Sequence, residues 1–302
     1  MSSYDLATLQ AVAAHAAGVQ VTETAPGMPM LEVANASATA RISINGGNLV
    51  AWAPVGEEPV IWLSTQAKFA PGKSIRGGVP VCWPWFGAHA TEKAFPGHGF
   101  ARTVPWQLVE VADEANGATR VVLEMPASVM PEAQWAHACT LRMVFRIGRS
   151  LEMDLVTTNT GATPFVLGEA LHTYFQVGDV GRIAVTGLDG CGYFDKAGGG
   201  IDAVQSGAVG FAGEVDRVYK GTESECVIQD PALGRNIHVA KRGSRSTVVW
   251  NPGPEKAAQM GDLGDEGWRR MVCVESANAL EDVVTVAPGA EHCMTVIYSV
   301  SR

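Results

Sequence analysis

Several large classes of protein are excluded by what this chain lacks. No run of 18 apolar residues occurs, so no helical membrane span is expected. Positions 1–20 contain no Lys or Arg but do contain Asp5, which makes a poor secretory leader. Basic residues are scarce, 22 against 31 acidic ones, for a formal charge of −9. Nucleic acid is disfavoured as a partner, because its phosphate backbone needs a basic surface. A small phosphorylated ligand needs only local positive charge and stays open. The six cysteines (Cys82, Cys139, Cys191, Cys226, Cys273 and Cys293) form no Cys-x-x-Cys pair. Cys273 and Cys293 lie in apolar runs, as reduced core thiols do. Gly-x-Ser-x-Gly elbows, phosphate loops and dinucleotide fingerprints are all missing, so neither a serine hydrolase of that type nor a nucleotide cofactor is indicated. A cytoplasmic, soluble protein is the simplest expectation.

Helical periodicity is also scarce. Leu6, Leu9, Val12, Ala13 and Ala16 recur at helical spacing, which predicts a helical lead-in over 1–20. A second short helix is expected from Glu255 to Leu263, behind Pro254. The remainder reads as short alternating runs broken by Gly, Pro, Asn and Asp. Alternation over Ala40–Ile44 runs into the turn signal Asn45-Gly46-Gly47. The clearest hairpin spans 140–157: Leu141, Met143, Phe145 and Ile147 alternate with Arg142 and Arg146, and Leu151, Met153 and Leu155 return beyond Gly148-Arg149-Ser150. Further strands are expected at Val121–Glu124, Ile183–Thr186, Thr247–Trp250, Met271–Val274 and Met294–Val300. The 47% hydrophobic content supplies a core, and many short strands without β–α alternation, linker or internal repeat point to one large antiparallel β-sandwich.

Chemistry concentrates in a few places. Residues 75–87 read Ile-Arg-Gly-Gly-Val-Pro-Val-Cys-Trp-Pro-Trp-Phe-Gly, and His98-Gly-Phe-Ala-Arg102 follows. Arg76 and Arg102 thus sit among glycines and aromatic rings, a mixture suited to stacking a sugar and gripping an anion. Of the seven histidines, His15 and His292 read as ordinary polar residues. His172 lies between apolar and aromatic neighbours, where a rigid environment tunes an imidazole; a satisfied core histidine is the competing reading. Glu275 ends an apolar strand, and alternation puts it on the face of Met271 and Cys273, expected to be the buried one. A carboxylate there needs a partner or a task; an ion pair with an arginine is the alternative. Asp216 reads as a solvated turn residue, and Asp195 is weaker still. A metal set of His98, His172 and a glutamate lacks any His-x-His or His-x-x-x-His spacing.

Taken in order, Arg76-Gly-Gly-Val-Pro-Val-Cys-Trp-Pro-Trp-Phe-Gly, His98-Gly-Phe-Ala-Arg102, Leu171-His-Thr-Tyr-Phe, Gly213-Glu-Val-Asp-Arg-Val-Tyr, Val249-Trp-Asn-Pro and Val272-Cys-Val-Glu-Ser-Ala-Asn resemble the motifs of the hexose-6-phosphate mutarotases (glucose-6-phosphate 1-epimerases) of the aldose 1-epimerase superfamily. The resemblance runs from about residue 30 to the end. It implies a galactose-mutarotase-like all-β sandwich over 1–302, without metal or organic cofactor. It further implies His172 and Glu275 as catalytic residues. Arg76, Arg102, Asp216 and His98 are implied as substrate contacts, with the arginines near the phosphate. A monomer acting on a phosphorylated sugar is the expectation; a free-aldose epimerase and a non-catalytic sugar-binding module are the rivals. The chain departs from the pattern at Gly97, at Trp85, expected to reshape the sugar wall, and at Gly253, where relatives carry something bulkier.

Overall fold

A computed structural model describes residues 4–264 and 266–302. Antiparallel strands dominate it. One eight-stranded sheet runs Ala184–Thr186, Cys226–Asp230, Arg235–Arg242, Glu291–Ser301, Leu151–Asn159, Cys139–Ile147, Thr119–Met125 and Gln107–Asp113. The hairpin expected at 140–157 lies at its centre, with Met143 opposite Leu155 and Ile147 opposite Leu151. The second eight-stranded sheet orders Ile201–Val204, Gly192–Asp195, Val215–Tyr219, Ser246–Asn251, Met271–Asn278, Glu169–Leu171 and Val81–Cys82, and Tyr174–Gln176 also pairs with Met271–Asn278. A four-stranded sheet from Val19–Ala25 to Asn48–Pro54 and a two-stranded one of Phe165–Leu167 and Val284–Val286 accompany them.

Alternation explains why the sheets stack. Leu141, Met143, Phe145, Leu151, Met153 and Leu155 of the first sheet share one apolar cluster with Leu171, Phe175, Val249, Val272 and Val274 of the second. Two polar groups trapped between the layers find partners: Thr173 meets the Tyr298 hydroxyl at 2.6 Å, and the Trp83 indole donates to Thr157 Oγ1 at 3.0 Å. Leaving such groups unpaired would cost about 1–3 kcal/mol each. His292, read as an ordinary polar residue, pairs at 3.2 Å with the buried Glu169.

Two helical expectations are shortened. The lead-in helix covers Leu6–Ala13 and not all of 1–20; Met1–Ser3 lie outside the described residues, and His15 falls beyond the helix, exposed. The chain must cross at Gly18, whose φ is +75° and where a Cβ would stand 1.9 Å from the Ala34 carbonyl oxygen, and it enters a strand at Val19. The second helix is Gly253–Ala257, and turns replace its expected second half. Cys293 is only half-buried, unlike Cys273, and all six cysteines are free thiols.

The strand Met271–Asn278 decides where the site lies. It is buried along its whole length, on both faces. Val272 and Val274 face the layer between the sheets, whereas Met271 and Cys273 join a separate cluster with Trp62, Tyr174 and Trp250 on the outer side. Glu275 shares that outer side with Met271 and Cys273, as alternation requires. The buried face anticipated for it is therefore the roofed outer face of the sheet and not the inter-sheet core.

Candidate active site

Glycines let two loops press against the outer face. At Gly77 (φ +106°) a Cβ would come within 2.7 Å of the Trp62 carbonyl oxygen. Released from that clash, the segment after Arg76 runs beside the 172–174 backbone, with His172 N–H donating to Pro80 O at 3.0 Å and Tyr174 N–H to Gly78 O at 2.9 Å. At Gly99 (φ +71°) a Cβ would sit 1.9 Å from Trp83 O, so only glycine lets the His98 loop lie so close. His98 itself adopts φ +67°.

The two loops and the sheet enclose a cavity of about 380 Å³, within the range of small-molecule sites. Arg76, His98, Arg102, His172, Asp216 and Glu275 all line it. Residues remote in the chain thus converge on one hollow. Asp216, read as a solvated turn residue, instead stands inside the strand Val215–Tyr219, half-buried and opposite Trp250. Asp195 contributes to structure: it accepts from Gly198 N–H at 2.7 Å and pairs with Arg217 at 3.2 Å.

At the floor, Glu275 Oε1 lies 3.4 Å from His172 Nε2, with side-chain exposures of 1% and 12%. The partner of the buried carboxyl is a histidine and not the arginine of the structural alternative. Burial, first among the causes, drives the His172 pKa well below its usual value, and the neighbouring His98 ring, with the charges of Arg102 and Arg76, adds to this. Burial also drives Glu275 well above the carboxylate range; Lys196 and Arg102 oppose it and Asp216 reinforces it. The opposed shifts favour a carboxylic acid facing a neutral imidazole, one proton for the pair. Among the described residues, His172 Nδ1 and Glu275 Oε2 have no hydrogen-bond partner.

The His172 ring is held by aromatic contacts. Tyr174 stacks on it at 5.0 Å, and Trp250 meets it edge-on at 5.8 Å. His98 approaches at 5.8 Å on another side. Its Nδ1 accepts from Gly87 N–H at 3.3 Å, which puts its proton on Nε2 as a donor. Burial, with Arg102, Lys196 and Arg76, lowers the His98 pKa to about 3, so the ring stays neutral.

Cations crowd the rim. Arg76 donates through Nε to Asp262 at 3.0 Å and through Nη1 to the Tyr174 hydroxyl at 2.9 Å. Arg102 donates to Gly97 O at 2.8 Å, which leaves much of its fork free. Lys196 sits 5.0 Å over the Phe86 ring and 3.7 Å from Asp216, and Lys256 pairs with Glu214. Sequence reasoning missed Lys196, Lys256, Tyr174, Trp250, Phe86 and Asp262. Lys196 adjoins the discounted Asp195, and Trp250 stands in a quoted motif, but Asp262 carries no local signal.

The departures find local explanations. Trp85 does not line the cavity: its indole donates to Pro96 O at 3.0 Å, and its ring packs on Phe95 and His89. Trp83 is fully buried. The apolar wall is formed by Phe86 and Trp250 instead. Gly253 has φ +62°, and a Cβ there would lie 2.6 Å from Glu214 N, which leaves no room for a larger residue.

The fold is a layered antiparallel β-sandwich with a histidine–glutamate pair under a cationic rim. The family model described as aldose 1-epimerase matches residues 29–299, and the chain belongs to this family. Over 255 residues it is 40% identical to a protein of Escherichia coli (strain K12) named as a candidate glucose-6-phosphate 1-epimerase, covering 84% of each chain. The crystal structure of a candidate mutarotase from Salmonella typhimurium superposes with a TM-score of 0.86 at 32% identity, covering 94% of this chain and 97% of that one. A galactose mutarotase-like protein from Lactobacillus casei shares the fold, with a TM-score of 0.70 at 15% identity over 90% of this chain and 100% of that one.

Proposed function

We propose that the protein interconverts the α and β anomers of a hexose 6-phosphate, glucose 6-phosphate first among them. The observation that carries this reading is the Glu275–His172 pair at the floor of a cavity whose rim bears Arg76, Arg102, Lys196 and Lys256. Anomer exchange consists of proton transfers and one reversible C–O cleavage, which two side chains can serve. The proton of the resting pair first passes from the Glu275 carboxyl to the His172 imidazole. Glu275 then takes the proton from the C1 hydroxyl while His172 delivers its own to the ring oxygen, and the C1–O5 bond opens. The aldehyde turns about C1–C2. On reclosure the roles reverse, and the pair again holds one proton. Metal or organic cofactor has no part in these steps.

His98 Nε2–H and Asp216 suit sugar hydroxyls, and Phe86 and Trp250 suit the ring's apolar faces. A phosphate carries about −1.5 to −2 charge at neutral pH. Arg102 and Lys196 are its best-placed partners, since Nε and Nη1 of Arg76 already serve Asp262 and Tyr174. Clamping the distal end leaves C1 free to rotate without releasing the substrate. The six free thiols suit a reducing compartment, so we assign the enzyme to the cytoplasm, where we take it to act as a monomer. Among the described residues, no helix is long and apolar enough to cross a membrane.

Saturation-transfer NMR on glucose 6-phosphate, with glucose and galactose alongside, tests the assignment. Enzyme-dependent transfer between anomeric protons, strongest for the phosphorylated sugar, is expected. Equal acceleration of all three sugars would replace it with the free-aldose reading, and no acceleration with a sugar-binding module.

A further inference from the structure

The catalytic reading leaves one buried group beside the pair without a task. Cys273 precedes Glu275 by two residues on the same face of the strand, fully buried between Tyr174 and Trp250, its partners across the sheet. One ligand atom from each of His172, Cys273 and Glu275 falls within 4.8 Å of the other two.

We propose that His172, Cys273 and Glu275 form a binding site for a soft divalent cation, zinc being the type, and that the cation shuts off anomer exchange while bound. Inhibition rests on the catalytic reading above; coordination rests on geometry alone. Zinc holds sulfur at about 2.3 Å and nitrogen or oxygen at about 2.0–2.2 Å, so tetrahedral ligands lie about 3.3–3.6 Å apart. The 3.4 Å between His172 and Glu275 already matches one such edge. Drawing the thiol in takes a shift of at most about 1.5 Å from the 4.8 Å envelope. Glu275 Oε2, buried and unpartnered, supplies an acceptor that the resting site leaves unused.

Charge balance suits the burial. The thiol and the carboxyl each release a proton to solvent, the imidazole binds as the neutral base, and two anionic ligands neutralise the divalent ion. Proton release makes the affinity rise with pH. Magnesium is excluded by its preference for oxygen ligands in octahedral geometry. With both catalytic side chains ligated, neither can move a proton.

The test uses the full chain, freed of metal with a chelator, and cobalt as the optical probe. We expect one equivalent of cobalt to produce a thiolate-to-cobalt charge-transfer band that zinc removes, and zinc to inhibit exchange reversibly in competition with the sugar. Cys273→Ser is expected to keep its exchange rate, to lose the band, and to need more than about 100-fold more zinc for half inhibition, since even an outer-shell partner is typically worth about 10- to 100-fold. If Cys273→Ser misfolds, Glu275→Gln serves instead, with cobalt affinity expected to fall by at least about 10-fold. A wild-type chain without the band overturns the proposal. So does equal zinc sensitivity in Cys273→Ser, or unchanged cobalt affinity in Glu275→Gln. The band reports coordination whether or not any sugar phosphate is a substrate, so its absence and failure of the catalytic reading are told apart.

Discussion

Nε2 of His172 stands 3.4 Å from Oε1 of Glu275, and the two groups have their pKa values driven in opposite directions by the same burial. The pair therefore holds a single proton over a wide span of pH. On the proposed mechanism, only this singly protonated form can give one proton to a ring oxygen while taking another from the C1 hydroxyl.

The pH dependence of kcat/KM follows from that. Activity falls on the acid side when the pair gains a second proton and on the alkaline side when it loses its only one. With His172 lowered, the acid limb is expected below the ordinary imidazole value of about 6.5; with Glu275 raised, the alkaline limb is expected above the ordinary carboxylate value of about 4.3. A pH–rate profile checks both limbs. A single limb centred on the free imidazole value would contradict the shared proton.

Stability carries a second signature of the buried carboxyl. The folded-state pKa of Glu275 is raised, so its contribution is fully present below the unfolded value of about 4.3 and is lost as pH rises toward the folded value. Glutamine cannot ionise. The melting temperature of Glu275→Gln minus that of the wild type is therefore expected to grow more positive from pH 4 upward. Calorimetry across the series checks this, and a difference independent of pH would mean that the carboxyl is not held above its usual range.

Recognition of the phosphate is expected to fall chiefly on Arg102. Arg102→Ala should lose about 1.5–3 kcal/mol in kcat/KM on hexose 6-phosphates, the scale of a hydrogen bond to a charged group, and much less on unphosphorylated glucose. Arg76→Ala should weaken both substrates, because Arg76 also holds the hydroxyl of Tyr174, the ring stacked on His172. Steady-state kinetics on the paired substrates separates the two arginines.

The loop carrying His98 depends on the absence of a side chain beside it. Gly99→Ala should cost about 3 kcal/mol or more, since it combines a left-handed backbone with a Cβ 1.9 Å from Trp83 O. Chemical denaturation measures the loss.

Much of this was legible in the sequence because strand alternation and turn residues are local signals. The hairpin around Gly148 announces itself by its period, and the strand leading to Glu275 by its unbroken apolar run. The six site residues named from motifs all reach one cavity. What escaped depends on tertiary placement. Alternation put Glu275 on a buried face, yet which side of the sheet that face belongs to depends on the loops that roof it. Asp216 looked solvated because its neighbours are charged, but strand pairing with Trp250 turns it into the cavity. Trp85 looked like a sugar wall, and the fold sends it toward Phe95. Asp262 reaches Arg76 from a glycine-rich turn with no periodic pattern.

The most direct test is the rate of exchange between the anomeric protons of glucose 6-phosphate, measured by saturation transfer with wild type, Glu275→Gln and His172→Ala. Removal of a positioned acid or base typically costs about 100- to 10,000-fold, so each folded variant should lose at least about 100-fold of the wild-type acceleration. Near wild-type exchange in either variant would contradict the claim that these two side chains open and close the ring.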